Sequence, residues 1–303
     1  MINIRKWIWI GVFIICETGL YCDLPAQTPK FGNRVDCGLI EYDRIKEASG
    51  IAASRQNPGV LWTHNDSGDK NRLFALNSKG KHLGVYTIAG VAARDWEDIA
   101  IGPGPVEGQH YLYVGDIGDN GREYEYKYIY RIPEPKVDSS QAPVDTTLFG
   151  AETIAVFYPL VNYDAETLMI DPLTKDIYIL TKGDTSSHVF RAAYPQSLKR
   201  GTRLEQVATL RLGWVVGSDI SSSGNEILVK TYPAIYYWAR SSEQNLWQAF
   251  DKAPMPLPYI WEPQGEAVGW KSDGMGYYTI SEEFQGIPAH LYFYPRLSVK
   301  TTP

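Results

Sequence analysis

Apolar residues recur along this chain with a period of two, in short runs broken by glycine, proline and acidic residues. Val60-Leu61-Trp62, Tyr111-Leu112-Tyr113-Val114, Ile177-Tyr178-Ile179-Leu180, Ile227-Leu228-Val229 and Tyr277-Tyr278 each fit one strand. Their β-branched and aromatic residues suit a pleated, half-buried surface. No stretch after Asp43 offers a long amphipathic helix.

The runs are organised as a repeat. Five segments share one plan: a polar or acidic cluster, a short aliphatic strand, a turn, a second strand ending in polar residues, and a third with alternating aromatics. First strands begin at Ser49-Gly50-Ile51, Glu97-Asp98-Ile99, Glu166-Thr167-Leu168, Ser218-Asp219-Ile220 and Gly265-Glu266-Ala267. The turns that follow carry turn formers such as Asn57-Pro58-Gly59 and Ser272-Asp273-Gly274. Measured between Ile51, Ile99, Leu168, Ile220 and Ala267, the spacings are 48, 69, 52 and 47 residues. Such lengths suit four-stranded propeller blades. The last unit lacks its fourth strand, while Cys37–Ile45 is an unassigned strand ahead of the first. The expectation is therefore an all-β fold, a single five-bladed propeller over residues 37–296, closed by pairing Cys37–Ile45 with His290–Tyr294. Six blades, with one hidden in the 69-residue interval, and a β-sandwich are the alternatives.

The N-terminus follows a different pattern. Arg5 and Lys6 precede an apolar stretch from Trp7 to Cys16, too short to span a bilayer easily. It reads as a secretory signal over residues 1–22, with cleavage after Cys22 or Ala26; an uncleaved anchor is the alternative. The mature chain would be secreted, monomeric and free of the membrane. Only Cys37 certainly remains, so no intrachain disulfide is expected. Residues 297–303 read as a tail. The net charge of −6, without a Lys/Arg cluster, excludes nucleic acid as a partner.

A propeller gathers the loops entering first strands and the ends of second strands on one face. The acids of five segments would then crowd one central mouth. Crowded carboxylates need cations, protons or metal to offset their repulsion. Oxygen-only ligands suit calcium, so Asp66, Asp95, Glu97, Asp98, Asp116, Asp119 and Asp219 are the candidate metal ligands. Turn-capping is the alternative for the loops "NDSGD" and "GDIGDN". His64, Asp98, Lys182, Lys230, Glu266 and Glu282 are the candidate catalytic residues, supplying an acid, a base or charge stabilisation. For Trp96 and Trp214 core packing is the expected role, and for His64 a structural hydrogen bond is the alternative. Neither zinc-ligand spacing, a Gly-x-Ser-x-Gly elbow nor a phosphate-cradling loop occurs.

The motifs "DWEDIA", "YVGDIGDN…YIYRIPEP" and "EPQGEAVGW…GYYTISEE" resemble a group of secreted β-propellers. The looser likeness is to phytase-like (esterase-like) propeller domains, and it covers about Glu47 to Pro295. It implies the fold; no catalytic residue is carried over from it. Three functions remain open: a calcium-assisted hydrolase of phosphate esters or similar small anions, a non-catalytic ligand- or glycan-binding module with Trp62, Tyr232 and Trp261 at its rim, and a glycosidase using two mouth carboxylates.

Overall fold

The computed structural model describes residues 28–298. The signal-peptide reading and most of the C-terminal tail fall outside the described residues. Five antiparallel blades form a ring, and each inner strand packs on the inner strands of its two neighbours. The inner strands are Ala48–Ala53, Trp96–Pro103, Ala165–Ile170, Val215–Ile220 and Ala267–Trp270, all essentially buried. Each is followed by a second strand: Val60–Asn65, His110–Asp116, Ile177–Thr181, Glu226–Thr231 and Gly276–Ile280.

Closure runs as the pattern of strands requires. Val35–Leu39 pairs antiparallel with His290–Pro295 as the outer strand of the fifth blade. The paired segment starts two residues earlier than expected and ends at Leu39, after which Ile40 to Ile45 lead into the first blade. A segment ahead of the first blade thus supplies the fourth strand that the last blade lacks.

The long interval after Ile99 holds an insertion rather than a sixth blade. Val144–Leu148 crosses back to the first blade and pairs in parallel with His82–Ile88, giving that sheet a fifth strand. Glu134 anchors the crossing segment: its Oε1 accepts from Ser54 Oγ, Asn57 Nδ2 and Trp62 Nε1. Thr202–Arg203 similarly joins the second blade beside Glu152–Phe157. A 3-10 helix, Leu246–Asp251, precedes the short outer strand Met255–Leu257 of the fourth blade.

The core is distributed. Five apolar clusters each lie between two neighbouring blades, for example Trp62, Ile99 and Val114 between the first and second. Blade contact is close enough to require missing side chains. A Cβ on Gly50 would lie 2.7 Å from Ile99 N, and one on Gly269 2.6 Å from Ile51 O. Trp62, expected at a rim, is fully buried in this core. Trp96 is buried there as expected, and Trp214 is not.

Candidate functional site

The mouth is built by one irregularity repeated around the ring. In the first four blades a β-bulge at the start of the inner strand sets one extra residue against the second strand: Ser49, Glu97, Glu166 and Val216. The fifth blade has no bulge, and Glu266 stands at the same level just ahead of Ala267. One residue beyond the last paired position of the second strands lie Asp66, Ile117, Lys182 and Tyr232, and in the fifth blade, which lacks the bulge, Glu282 lies two residues beyond. A bulge turns a side chain out of the pleat, so these positions form two tiers around one opening, with Ile117 and Val216 packed fully into the buried interior.

Three of those ten positions, with two entering-loop acids, bring carboxylates together. Oxygens of Asp66, Asp95 and Glu97 lie within 4.8 Å of one another, as do those of Glu97, Asp164 and Glu166. Glu97 belongs to both groups. It is only 3% exposed, and its carboxylate makes no hydrogen bond or ion pair among the described residues. A side chain at residue 118 would close the cradle, because a Cβ on Gly118 would collide with Glu97 Oε1 and Asp95 Oδ2.

Burial and mutual repulsion push these acids up. Burial is the larger cause for Asp66, raised to about 6, with Glu266, Asp95 and Glu47 adding to it. Asp95 is raised by burial and then by Asp164 and Asp116. Glu97 is raised well above the usual range by burial, then by Glu166, Asp66 and Asp95. Glu282 rises to about 8 from burial and the nearby Glu266 and Asp66. Lys182 Nζ donates to Glu166 Oε1 at 2.7 Å. Burial alone would lower this lysine, but Glu166, Tyr232 and Glu266 outweigh it and hold the ammonium protonated. Across the opening Tyr232 donates to Glu266 Oε1 at 2.7 Å, and Ser49 Oγ to Glu266 Oε2 at 3.3 Å.

The remaining candidates have other partners. Asp98 accepts Ile99 N and, from the next blade, Leu168 N, both at 2.8 Å. Asp219 repeats that staple one tier deeper, with Ile220 N and Trp270 N at 2.7 Å each. Asp116 accepts Asp95 N and the Tyr130 hydroxyl. Asp119 accepts Glu123 N, Tyr124 N and the buried Lys127 ammonium, which together outweigh burial and lower its pKa. These four carboxylates brace loops and blades, as the turn-capping alternative holds for "GDIGDN".

His64 and Lys230 occupy the buried layer beneath the mouth, at equivalent register positions opposite Gly50 and Gly217. Burial lowers His64 to about 4, so its ring is neutral, with Nδ1 against Asn65 O and Nε2 unpartnered. Lys230, fully buried and lowered to about 8 by desolvation, donates to the carbonyls of Gly265 and Thr231. Lys230 is not the counterpart of Lys182, because that position in the fourth blade is Tyr232. Likewise Val216, not Ser218 or Asp219, matches Glu97. A two-residue slip leaves every side chain on its original face, so periodicity alone cannot detect it.

Asp164 and Glu166 complete the second group of carboxylates and are the members missing from the candidate ligands. Their signal is present in the sequence as "DAETL", the counterpart of "DWEDI". Gly118 gives no sequence signal, since its role depends on two acids folding onto its Cα.

No protein-family model matches this chain, and no curated protein matches it by sequence. Solved structures similar to it include the crystal structure of RRP9 WD40 repeats, at 10% identity and a TM-score of 0.39, covering 82% of this chain and 79% of that one. The crystal structure of a mitotic checkpoint complex is similar at 12% identity and a TM-score of 0.38, covering 83% of this chain and 64% of that one. Likeness this distant carries no argument about function. No helix among the described residues is long and apolar enough to cross a membrane.

Proposed function

We propose that the mouth is a divalent-cation site of the calcium class, through which the propeller takes up its ligand. The observation that carries this reading is Glu97, a buried carboxylate without a hydrogen-bond partner, set among four others. An isolated charge in that position is costly unless a counter-charge sits beside it. Asp66, Asp95 and Glu97 would hold one cation, and Glu97, Asp164 and Glu166 offer a second such group. All donors are oxygens, which favours a hard cation over zinc or copper. Lys182 offsets part of this charge and is committed to Glu166, and Arg94 lies near Asp95.

Hydrolysis of a phosphate ester or similar anion is a second reading, favoured by Glu282. Its carboxyl, raised to about 8, carries a proton at neutral pH beside the carboxylate groups, as a general acid must. His64 and Lys230 have no part in either reading, since both are sealed below the opening.

The test is thermal unfolding of metal-free protein against added calcium. The assembled site exists only in the folded state, so calcium stabilises it by mass action, by roughly 2.7 kcal/mol at a hundredfold excess over Kd. Calcium should raise Tm by several degrees, and more than magnesium does, because magnesium demands a tighter octahedral shell. Glu97→Gln should abolish the response. A melting curve indifferent to both ions would end the cation reading.

A further inference from the structure

Both exposed tryptophans among the described residues sit on the mouth face. Trp214, 48% exposed, lies on the connection into the fourth blade, and Trp261, 61% exposed, on the next connection, into the fifth. Trp214 is displayed at a cost. Its φ of +56° is left-handed, a conformation that is a genuine outlier for a bulky side chain. Its segment cannot relax, because Trp214 N donates to Gly183 O at 2.8 Å and a Cβ on Gly213 would collide with Asp184 O. Strain held on a rigid surface, with half the ring in solvent, is the signature of a side chain kept for contact. The Trp261 segment is also anchored, with Ile260 N donating to the Tyr294 hydroxyl at 3.0 Å.

On the same face Lys182 and Tyr232 stand just beyond the second strands of the third and fourth blades, Tyr232 donates to Glu266 of the fifth, and Glu282 ends the fifth blade's second strand. The Lys182 ammonium stands 5.6 Å from the Tyr232 ring centroid, so an organic cation reaching for these rings meets a positive charge already in place. An anion meets Glu266 instead. What remains is an uncharged ligand with apolar faces and many hydroxyls. From the strained, exposed Trp214, the exposed Trp261 on the next connection and the polar side chains of the same face, we infer that this sector binds a neutral oligosaccharide. Indoles offer rigid, amphipathic area at low entropic cost for the C–H faces of pyranose rings. Glu282, without a partner among the described residues, and Glu266 accept from hydroxyls at the ring edges. The inference concerns the fourth and fifth blades and stands whether or not a cation occupies the first three.

The experiment is calorimetric titration of the purified protein with cellohexaose, xylohexaose, mannohexaose and chitohexaose, and with hexalysine and inositol hexakisphosphate as charged probes. A chelator is present throughout, so that the cation site does not contribute. At least one neutral hexasaccharide should bind, and Trp214→Gly or Trp261→Ala should weaken that Kd tenfold or more. Phe149→Ala, an exposed ring outside the fourth and fifth blades, should leave it unchanged. Trp214→Gly should keep or raise Tm, because glycine accepts the left-handed backbone without strain. Failure of all four sugars to bind, tighter binding of either charged probe, or Kd unchanged in both tryptophan variants overturns the inference. A marked fall in Tm for Trp214→Gly would also overturn it, since the ring would then be structural.

Discussion

The second and fourth blades open on the same backbone and carry opposite chemistry. Both carry a bulge at the head of the inner strand, in the same register against the second strand. In one the bulged residue is Glu97, and in the other Val216. One residue past the second strand the pair is Ile117 and Tyr232. The fold therefore supplies ten positions and leaves their use to the side chains. Carboxylates collect where the first three blades meet, and aromatics with polar side chains where the fourth and fifth do. Within the acidic sector a second contrast matters more. Glu97 and Asp98 are neighbours, equally buried, and only Asp98 has partners.

That contrast gives the largest expected effect. Asp98→Ala strands the buried amides of Ile99 and Leu168 and uncouples two blades. Leaving two buried donors unpaired should cost about 2–5 kcal/mol. Glu97→Val copies the fourth blade and removes a buried carboxyl that no hydrogen bond compensates. In metal-free protein it should stabilise the fold, by about 1 kcal/mol or more. Urea unfolding of the two variants without metal measures both. Changes of the same sign would mean that Glu97 has a structural partner and that the contrast fails.

The sequence carries the architecture well because blade spacing and period-two alternation are one-dimensional signals. Five first strands, their turns and the closing N-terminal strand are legible in this way. The insertion strand Val144–Leu148 is not, since it has little apolar pattern and is mostly exposed. The site is legible only as a face. Asp66, Asp95 and Glu97, expected as ligands, do share a cluster. Asp98, Asp116, Asp119 and Asp219 carry the same expectation, and each is taken by amides, a hydroxyl or a lysine. An acid's type is written in sequence, but whether backbone amides reach its oxygens depends on the neighbouring blade. The two-residue slip in the fourth blade has a similar origin. Val216 and Ser218 stand two residues apart, so a period-two reading cannot tell which of them heads the strand.

Proton linkage separates the acids that folding raises from those it lowers, and gives the next effect. Folding raises Asp66 to about 6, Glu262 to about 7 and Glu282 to about 8, above the ordinary carboxyl value near 4. The folded state thus holds more protons than the unfolded state between about pH 4 and pH 8. Stability from these groups is full below that window and is lost as pH rises through it. Asp69 and Asp119 run the other way, being lowered, so their contribution is lost below about pH 4. Metal-free protein should be most stable near pH 4–5 and lose roughly 1 kcal/mol or more by pH 8. Saturating calcium, which needs the deprotonated acids, should flatten that slope. A pH-independent Tm from about pH 5 to 8 without metal would show that the mouth acids are not held protonated.

The smallest effect isolates the lysine paired within the acidic sector. Lys182 lies at the edge of the acidic sector, its ammonium on Glu166 at 2.7 Å and its stem half-buried under Tyr232. While that pair persists, Glu166 serves the cation group with one oxygen already engaged. Lys182→Met keeps most of the stem's apolar contact and removes the charge. Stability should change by about 1 kcal/mol or less, because the ammonium is partly exposed and its pair is screened. Calcium affinity should rise by about three- to tenfold, since the competing positive charge within reach of Glu166 is gone and a charge interaction of about 1 kcal/mol is worth that much. Titration of metal-free wild type and variant with calcium at low ionic strength reads the difference. A weaker affinity in Lys182→Met would instead place the lysine among the groups that organise Glu166 for the ion, and the acidic sector would then extend through Lys182 to the aromatic one.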